Sequence, residues 1–192
     1  MDFTYSNPIE KEIFELEAGL MKEAEKLAEL KKKQPAVSIK DYDLVDINGP
    51  LKLSQLFGQK NSLLIVHNMG SSCSYCTLWG DAINGFLHHI ESESAVVLCS
   101  PDAPETQRQF ALSRSWKFRM VSDKEKSFSK DSGYLKDDGK FWPGYSTYNK
   151  NSAGLIERTG RGVFGPMDLY CGLWHLMPNL TQNEWHPKKS YT

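Results

Sequence analysis

Two short runs of apolar and β-branched residues, Ser62 to Asn68 and Ala95 to Cys99, are each followed by a stretch with helical character, Cys73 to Ile90 and Glu105 to Trp116. Runs of this length and texture suit strands buried on both faces. Their alternation with helices requires parallel strands joined by right-handed crossovers, and chemistry in such a sheet gathers at the strands' carboxyl ends. Further on, Gly144 to Tyr148 and Leu155 to Thr159, separated by Asn-Lys-Asn-Ser-Ala-Gly, predict a closing β-hairpin. Tyr42 to Ile47, a turn at Asn48-Gly49-Pro50 and Leu51 to Phe57 read as a strand-turn segment. Leu169, Leu173, Leu176 and Met177 suggest a last helix within residues 163–178. The fold class is α/β, with a central mixed sheet flanked by helices.

The first thirty residues have another texture. Asn7 is placed to cap a helix that begins at Pro8 and carries Glu10 at its third position. Ile9, Ile13, Leu16, Leu20, Leu27 and Leu30 follow at spacings of three, four and one seven, with Glu and Lys between them. Lys31 to Lys33 sit where the helix dipole favours cations, and Pro35 stops the run. The narrow apolar stripe suits either a coiled-coil seam, which would make a homodimer through this helix, or a face lying on the chain's own globular part. The second is preferred, because Gly19 weakens a long free helix by ~1 kcal/mol relative to Ala. At 192 residues the chain has room for one compact domain and an appendage. The expected division is a helical extension over residues 1–34 and a main domain over residues 35–192.

Composition removes several classes of function. Lys plus Arg number 23 against 24 Asp plus Glu, a net charge of -1, which provides no basic footprint for nucleic acid. No apolar run approaches the ~20 residues needed to cross a bilayer, and no basic head with an apolar stretch opens the chain. A cytoplasmic chain without membrane or nucleic-acid partners is expected. Four cysteines, Cys73, Cys76, Cys99 and Cys171, are too few for a disulfide scaffold, and two of them form a close pair.

That pair, Cys73-Ser74-Tyr75-Cys76, falls five residues after a predicted buried strand and opens a predicted helix. On a helix's first turn, free backbone N–H groups and the dipole stabilise a thiolate, so Cys73 is the expected nucleophile. Cys76, three residues on and on the same face, is the expected resolving thiol. Haem attachment would need histidine directly after the second cysteine, where Thr77 stands. Structural zinc would need a second ligand pair, and an iron-sulfur cluster would need Cys99 and Cys171 to converge on the first two. No metal and no cofactor are therefore expected.

The sequence resembles a thioredoxin-like family labelled predicted dithiol-disulfide oxidoreductase, formerly a domain of unknown function. The resemblance is carried by the charged N-terminal helix, by Ser62 to Asn68, by Cys73-Ser74-Tyr75-Cys76-Thr77-Leu78-Trp79-Gly80-Asp81, by Ala95 to Ser100 and by Gly144-Tyr145-Ser146-Thr147-Tyr148. It implies a thioredoxin-like fold for residues 35–192 and a thiol-disulfide oxidoreductase in which Cys73 attacks and Cys76 resolves. Its partners would be a disulfide-containing protein or small thiol substrate and a separate reductant. Thioredoxins place a proline opposite the cysteine pair, and Pro143, one residue before Gly144, is the candidate here. The arrangement also resembles peroxiredoxins, since Cys76-Thr77 parallels their cysteine context, which makes a thiol peroxidase the alternative. A peroxidatic centre usually has a proline before its cysteine, and none lies between Asn68 and Cys76. A non-catalytic thioredoxin-like binding module is the third reading.

Around the pair, Tyr75, Trp79 and Asp81 are candidates to shield or orient the thiols, and His67, ending the first buried strand, is a candidate to polarise one. Cys99 ends the second buried strand and is a candidate third redox partner, with a core cysteine the preferred reading.

Overall fold

The computed structural model describes residues 4–189. It divides into two compact units, one ending at Pro35 and one beginning at Ala36.

The first unit is a single long helix, α1 (Pro8–Lys32). Its start follows from local chemistry: the Asn7 side chain accepts the backbone N–H of Glu10 at 3.0 Å, and the Glu10 carboxylate accepts the N–H of Ser6 at 2.6 Å. One donor of the first turn, and the N–H of the residue just before the cap, are thereby satisfied. None of the α1 side chains is buried.

The second unit is built on one eight-stranded mixed sheet. In chain order the elements are β1 (Val37–Ser38), β2 (Asp43–Asp46), β3 (Gly49–Lys52), a 3-10 turn (Leu53–Phe57), β4 (Ser62–His67), α2 (Ser74–Gly85), α3 (Leu87–Glu91), β5 (Ala95–Ser100), α4 (Pro104–Arg114), β6 (Arg119–Ser122), α5 (Ser127–Asp131), β7 (Gly144–Lys150), β8 (Ile156–Val163) and α6 (Leu173–Leu180). The strand order is β1-β8-β7-β4-β5-β6-β2-β3. At its centre β4, β5 and β6 are parallel, and β7 joins β4 antiparallel. The expected class and the mixed sheet are both present.

Strand parity then determines what each central residue faces. Leu63 and Ile65 of β4, with Val97 and Cys99 of β5, enter a core with Phe57, Phe128 and Tyr148. Leu64, Val66, Val96 and Leu98 enter a second core with Trp79, Trp116, Phe164 and Trp174. Alternation across the pleat separates the two sets, and α2 packs on the second.

Three predicted elements need correction. The helix expected over Cys73 to Ile90 breaks at Phe86, whose ψ of 3° leaves the helical range, giving α2 and α3. The last helix occupies only Leu173–Leu180, because Val163 still pairs with Gly144 in the sheet and Met167 adopts a positive φ of 68°. In the segment Leu51 to Phe57 only Leu51 and Lys52 are strand, and Leu53–Phe57 is the 3-10 turn. The sequence reading lacked β1, β6 and α5, each too short to show a period.

Candidate active site

The thiol pair stands where β4 hands over to α2. The connecting turn is fixed by its own polar groups. Asn68 accepts the N–H of Gly70 at 2.7 Å, Asp102 from the loop after β5 accepts the N–H of Ser71 at 2.6 Å, and the Cys73 N–H returns to the Gly70 carbonyl at 3.1 Å. Gly70 has a φ of +109°, and a Cβ there would meet an Asp102 oxygen at 2.9 Å. Conformation and space both require glycine at this position.

This turn delivers Cys73 to the N-cap of α2 in an extended conformation, φ -90° and ψ 109°. Its sulfur occupies the place of a capping oxygen and accepts the N–H of Cys76 at 3.1 Å. The Cys73 carbonyl takes the Thr77 N–H and hydroxyl at 3.1 and 2.9 Å, which closes the first turn.

The two sulfurs consequently differ in character. Cys73 is half-buried and Cys76 buried. A hydrogen bond from the Cys76 thiol is the largest influence on Cys73. It acts with the N–H groups of Cys76 and Tyr75 and the charge of Lys189, against the cost of burial, to bring Cys73 down to about 7. Cys76 moves upward, because the Cys73 sulfur holds its proton and burial disfavours its anion. Around neutral pH Cys73 is therefore partly thiolate, and Cys76 beside it keeps its proton. The Met69 N–H already points at the Cys76 sulfur at 3.5 Å.

The other sequence candidates divide by place. Tyr75 lies beside the pair. It packs on Trp174, its hydroxyl is 2.6 Å from Nδ1 of His186, and it lines a cavity of about 590 Å³ with Met177 and Trp185. Trp79 is buried one turn further on, stacked on Phe164 with a ring separation of 5.2 Å. Asp81 turns to α4, where it binds Arg114 and takes the indole N–H of Trp116 at 2.8 Å. Pro143 precedes β7 next to the pairing of His67 with Gly144, at the β4 end that leads into the site. Its peptide bond is trans.

His67 is not brought to the thiols. Parity puts it on the same face as Leu63 and Ile65, where it bonds Ser146 at 2.9 Å and stacks on Tyr134 at 3.7 Å. Burial lowers its pKa to about 3, so the ring is neutral. Cys99 shares that face and that core, and burial, its largest influence, pushes its thiol up. Counting residues along the strands in the sequence would have placed both. Lys189, His186 and Trp185 were missed. The Trp185-His186 pair was the available signal, but no periodicity ties that segment to α2. Among the described residues, no three or more His, Cys, Asp and Glu side chains are grouped as metal ligands would be.

A family described as bacterial protein of unknown function (DUF899) matches residues 7–168, most of the chain, including the cysteine pair and the strands from β4 through β8. The chain belongs to this family. Its description names no reaction, and no curated protein matches the DUF899 chain. Among solved structures, the reduced 2-Cys peroxiredoxin of Plasmodium vivax is similar, with a TM-score of 0.55 and 19% identity over 77% of this chain and 94% of its own. Peroxidoxin BcpB of Mycobacterium tuberculosis gives 0.53 and 20%, over 64% and 82%. A bacterioferritin comigratory protein of Xanthomonas campestris, studied for alkyl peroxide reduction, gives 0.52 and 17%, over 72% and 88%. These likenesses establish a shared thioredoxin-like architecture.

Proposed function

We propose that the chain is a thiol-based redox enzyme whose Cys73–Cys76 pair cycles between dithiol and disulfide. The single observation that carries this is the capping position of the Cys73 sulfur, 3.1 Å from the Cys76 N–H and within reach of the Cys76 thiol.

The disulfide-exchange reaction balances as follows. The Cys73 thiolate attacks one sulfur of a substrate disulfide, a Cys73–substrate bond forms, and the other substrate sulfur leaves as a thiolate. Cys73 is now uncharged, so the influence that held the Cys76 proton is gone. That proton passes to the departing thiolate, the Cys76 thiolate so formed attacks the Cys73 sulfur, the Cys73–substrate bond breaks, and the second substrate sulfur leaves as a thiolate that takes a proton from solvent. A dithiol reductant returns the pair to its starting state.

A second reading has the same residues reduce a peroxide, and the likeness to peroxiredoxins favours it. Here Cys73 attacks an O–O bond and becomes a sulfenic acid as an alcohol or water leaves. Cys76 then condenses with it and releases water. The pair's geometry serves either reaction, since both need a Cys73 thiolate with the Cys76 thiol beside it.

One experiment covers both readings. The reduced protein is mixed with an aromatic disulfide or with cumene hydroperoxide, and the oxidised cysteines are mapped by mass. A Cys73–Cys76 disulfide formed fastest with the aromatic disulfide supports exchange, and one formed fastest with the hydroperoxide assigns a peroxidase. Cys73→Ser should abolish either reaction, and Cys76→Ser should trap a mixed disulfide or a sulfenic acid. Oxidation no faster than that of free cysteine would leave a non-catalytic module and overturn the proposal.

A further inference from the structure

Six of the large apolar residues of α1 follow a heptad, with Phe14 and Met21 beside them at b. Ile9, Ile13, Leu16 and Leu20 are spaced four, three and four, and after one skipped position Leu27 and Leu30 resume in phase. The skipped position is Glu23. With Ile13, Leu20 and Leu27 at a, the d positions are Ile9, Leu16, Glu23 and Leu30. A repeat of 3.5 residues is that of a left-handed coiled coil, and a straight helix on a globular surface has no need of it. The stripe is open to solvent, with Leu20 61% and Leu30 65% exposed. A seam of this length is apolar enough to bury.

Charge decides what covers it. The positions flanking the seam are Glu10, Glu17, Ala24 and Lys31 at e, and Glu12, Gly19, Lys26 and Lys33 at g. Acids occupy the first half and bases the second. In a parallel pair g meets the e five residues on in the other strand, which sets Glu12 against Glu17 and Lys26 against Lys31, both repulsive. In an antiparallel pair e meets e and g meets g. With Ile13 layered on Leu30 and Leu16 on Leu27 of the other strand, Glu10 faces Lys31 and Glu12 faces Lys33. Two-fold symmetry repeats each pair, giving four attractive contacts and no like-charge contact among the flanking e and g positions. Glu23 falls beside Leu20 near the middle, with its carboxylate held by Lys26 at 2.6 Å. A lone polar residue at a seam position costs stability and fixes register.

We infer that α1 is a dimerisation element that pairs with α1 of a second copy of this chain as an antiparallel coiled coil. The inference is independent of the thiol chemistry.

The test is sedimentation equilibrium of the full chain under reducing conditions, so that no intermolecular disulfide contributes. The wild type should be a dimer whose dissociation constant rises with salt. Leu20→Glu should make it monomeric while far-ultraviolet circular dichroism keeps the fold of the remainder. Lys31→Glu with Lys33→Glu should raise the dissociation constant at least about tenfold, as several attractive flanking pairs become repulsive. Adding Glu10→Lys and Glu12→Lys should restore it. A parallel dimer would respond oppositely to the first double variant, because Lys26 would then face an acid, and tighter association would overturn the antiparallel assignment. A wild type that stays monomeric up to millimolar concentration, or a Leu20→Glu dimer as tight as wild type, would overturn the inference altogether.

Discussion

The backbone N–H of Cys76 points at the sulfur of Cys73 across 3.1 Å, and the side chain of the same Cys76 shares its proton with that sulfur. One residue therefore supplies two donors to the nucleophile, and the resolving thiol is itself an activator. Alkylation by iodoacetamide should be confined to Cys73, with its rate rising to half-maximum near pH 7, as the depressed pKa of about 7 requires. Cys76→Ser keeps a side-chain donor and should leave that midpoint nearly in place. Cys76→Ala keeps only the N–H groups and should move it upward, toward the ordinary thiol value of about 8.5. Mass-resolved alkylation against pH checks this, and equal midpoints for the Ser and Ala variants would deny the thiol its role.

Lys189 should act on the same midpoint through charge alone. Lys189→Ala removes a cation that favours the Cys73 thiolate, so the midpoint rises, and Lys189→Arg returns it. The side chain is exposed and screened by solvent, so the alkylation rate below the midpoint should fall by less than about tenfold and the difference should fade at high salt. Alkylation profiles at low and high ionic strength measure this.

Asp81 was read from sequence as a companion of the thiols, one turn beyond them. The structure gives it a mechanical task, joining α2 to Arg114 and to the Trp116 indole. Asp81→Asn should lower stability by about 1–3 kcal/mol, since a partly buried cation loses its partner, while the Cys73 midpoint stays where it is. Urea unfolding and alkylation measured on one preparation separate the two effects.

What was legible in the sequence was what short-range physics dictates. The Asn7 cap, the apolar runs of β4 and β5 and the placement of Cys73 at a helix start each depend on a few neighbouring residues. The extents of the later elements depend on partners far along the chain. Residues Arg119 to Ser122 become β6 because β5 offers a parallel edge from Val97 to Ser100. Val163 remains a strand because Gly144 lies opposite. The site divides in the same way: the thiols were readable from a motif, whereas Lys189 and His186 reach α2 only through tertiary folding.

Gly80 shows how closely α2 is packed. A Cβ at this position would stand 2.4 and 2.6 Å from ring carbons of Trp116, whose indole is pinned by Asp81. Alanine is the better helix former, and on propensity alone Gly80→Ala would stabilise by ~1 kcal/mol. The ring cannot retreat without losing its hydrogen bond, so overpacking should prevail and the variant should lose about 1–3 kcal/mol. Gly85→Ala on the same helix, where nothing lies within 4 Å, is the control and should not be destabilised. Urea midpoints of the two variants measured together decide it.

His67 makes the fold sensitive to acid. Burial lowers its pKa to about 3, against about 6.5 in the unfolded chain. Between those values the unfolded state binds a proton that the native state refuses, so stability falls as pH drops below about 6.5 and this contribution levels off near 3. Over the whole window the loss is several kcal/mol at most, at about 1.4 kcal/mol for each pH unit. His67→Gln can keep a hydrogen bond to Ser146 and has no proton to gain. It will cost some stability at neutral pH, through the lost stacking on Tyr134, and should flatten the acid limb. Urea unfolding at closely spaced pH values from 7 down to 4 should therefore give converging curves for the two proteins, and parallel curves would show that His67 carries none of the acid sensitivity.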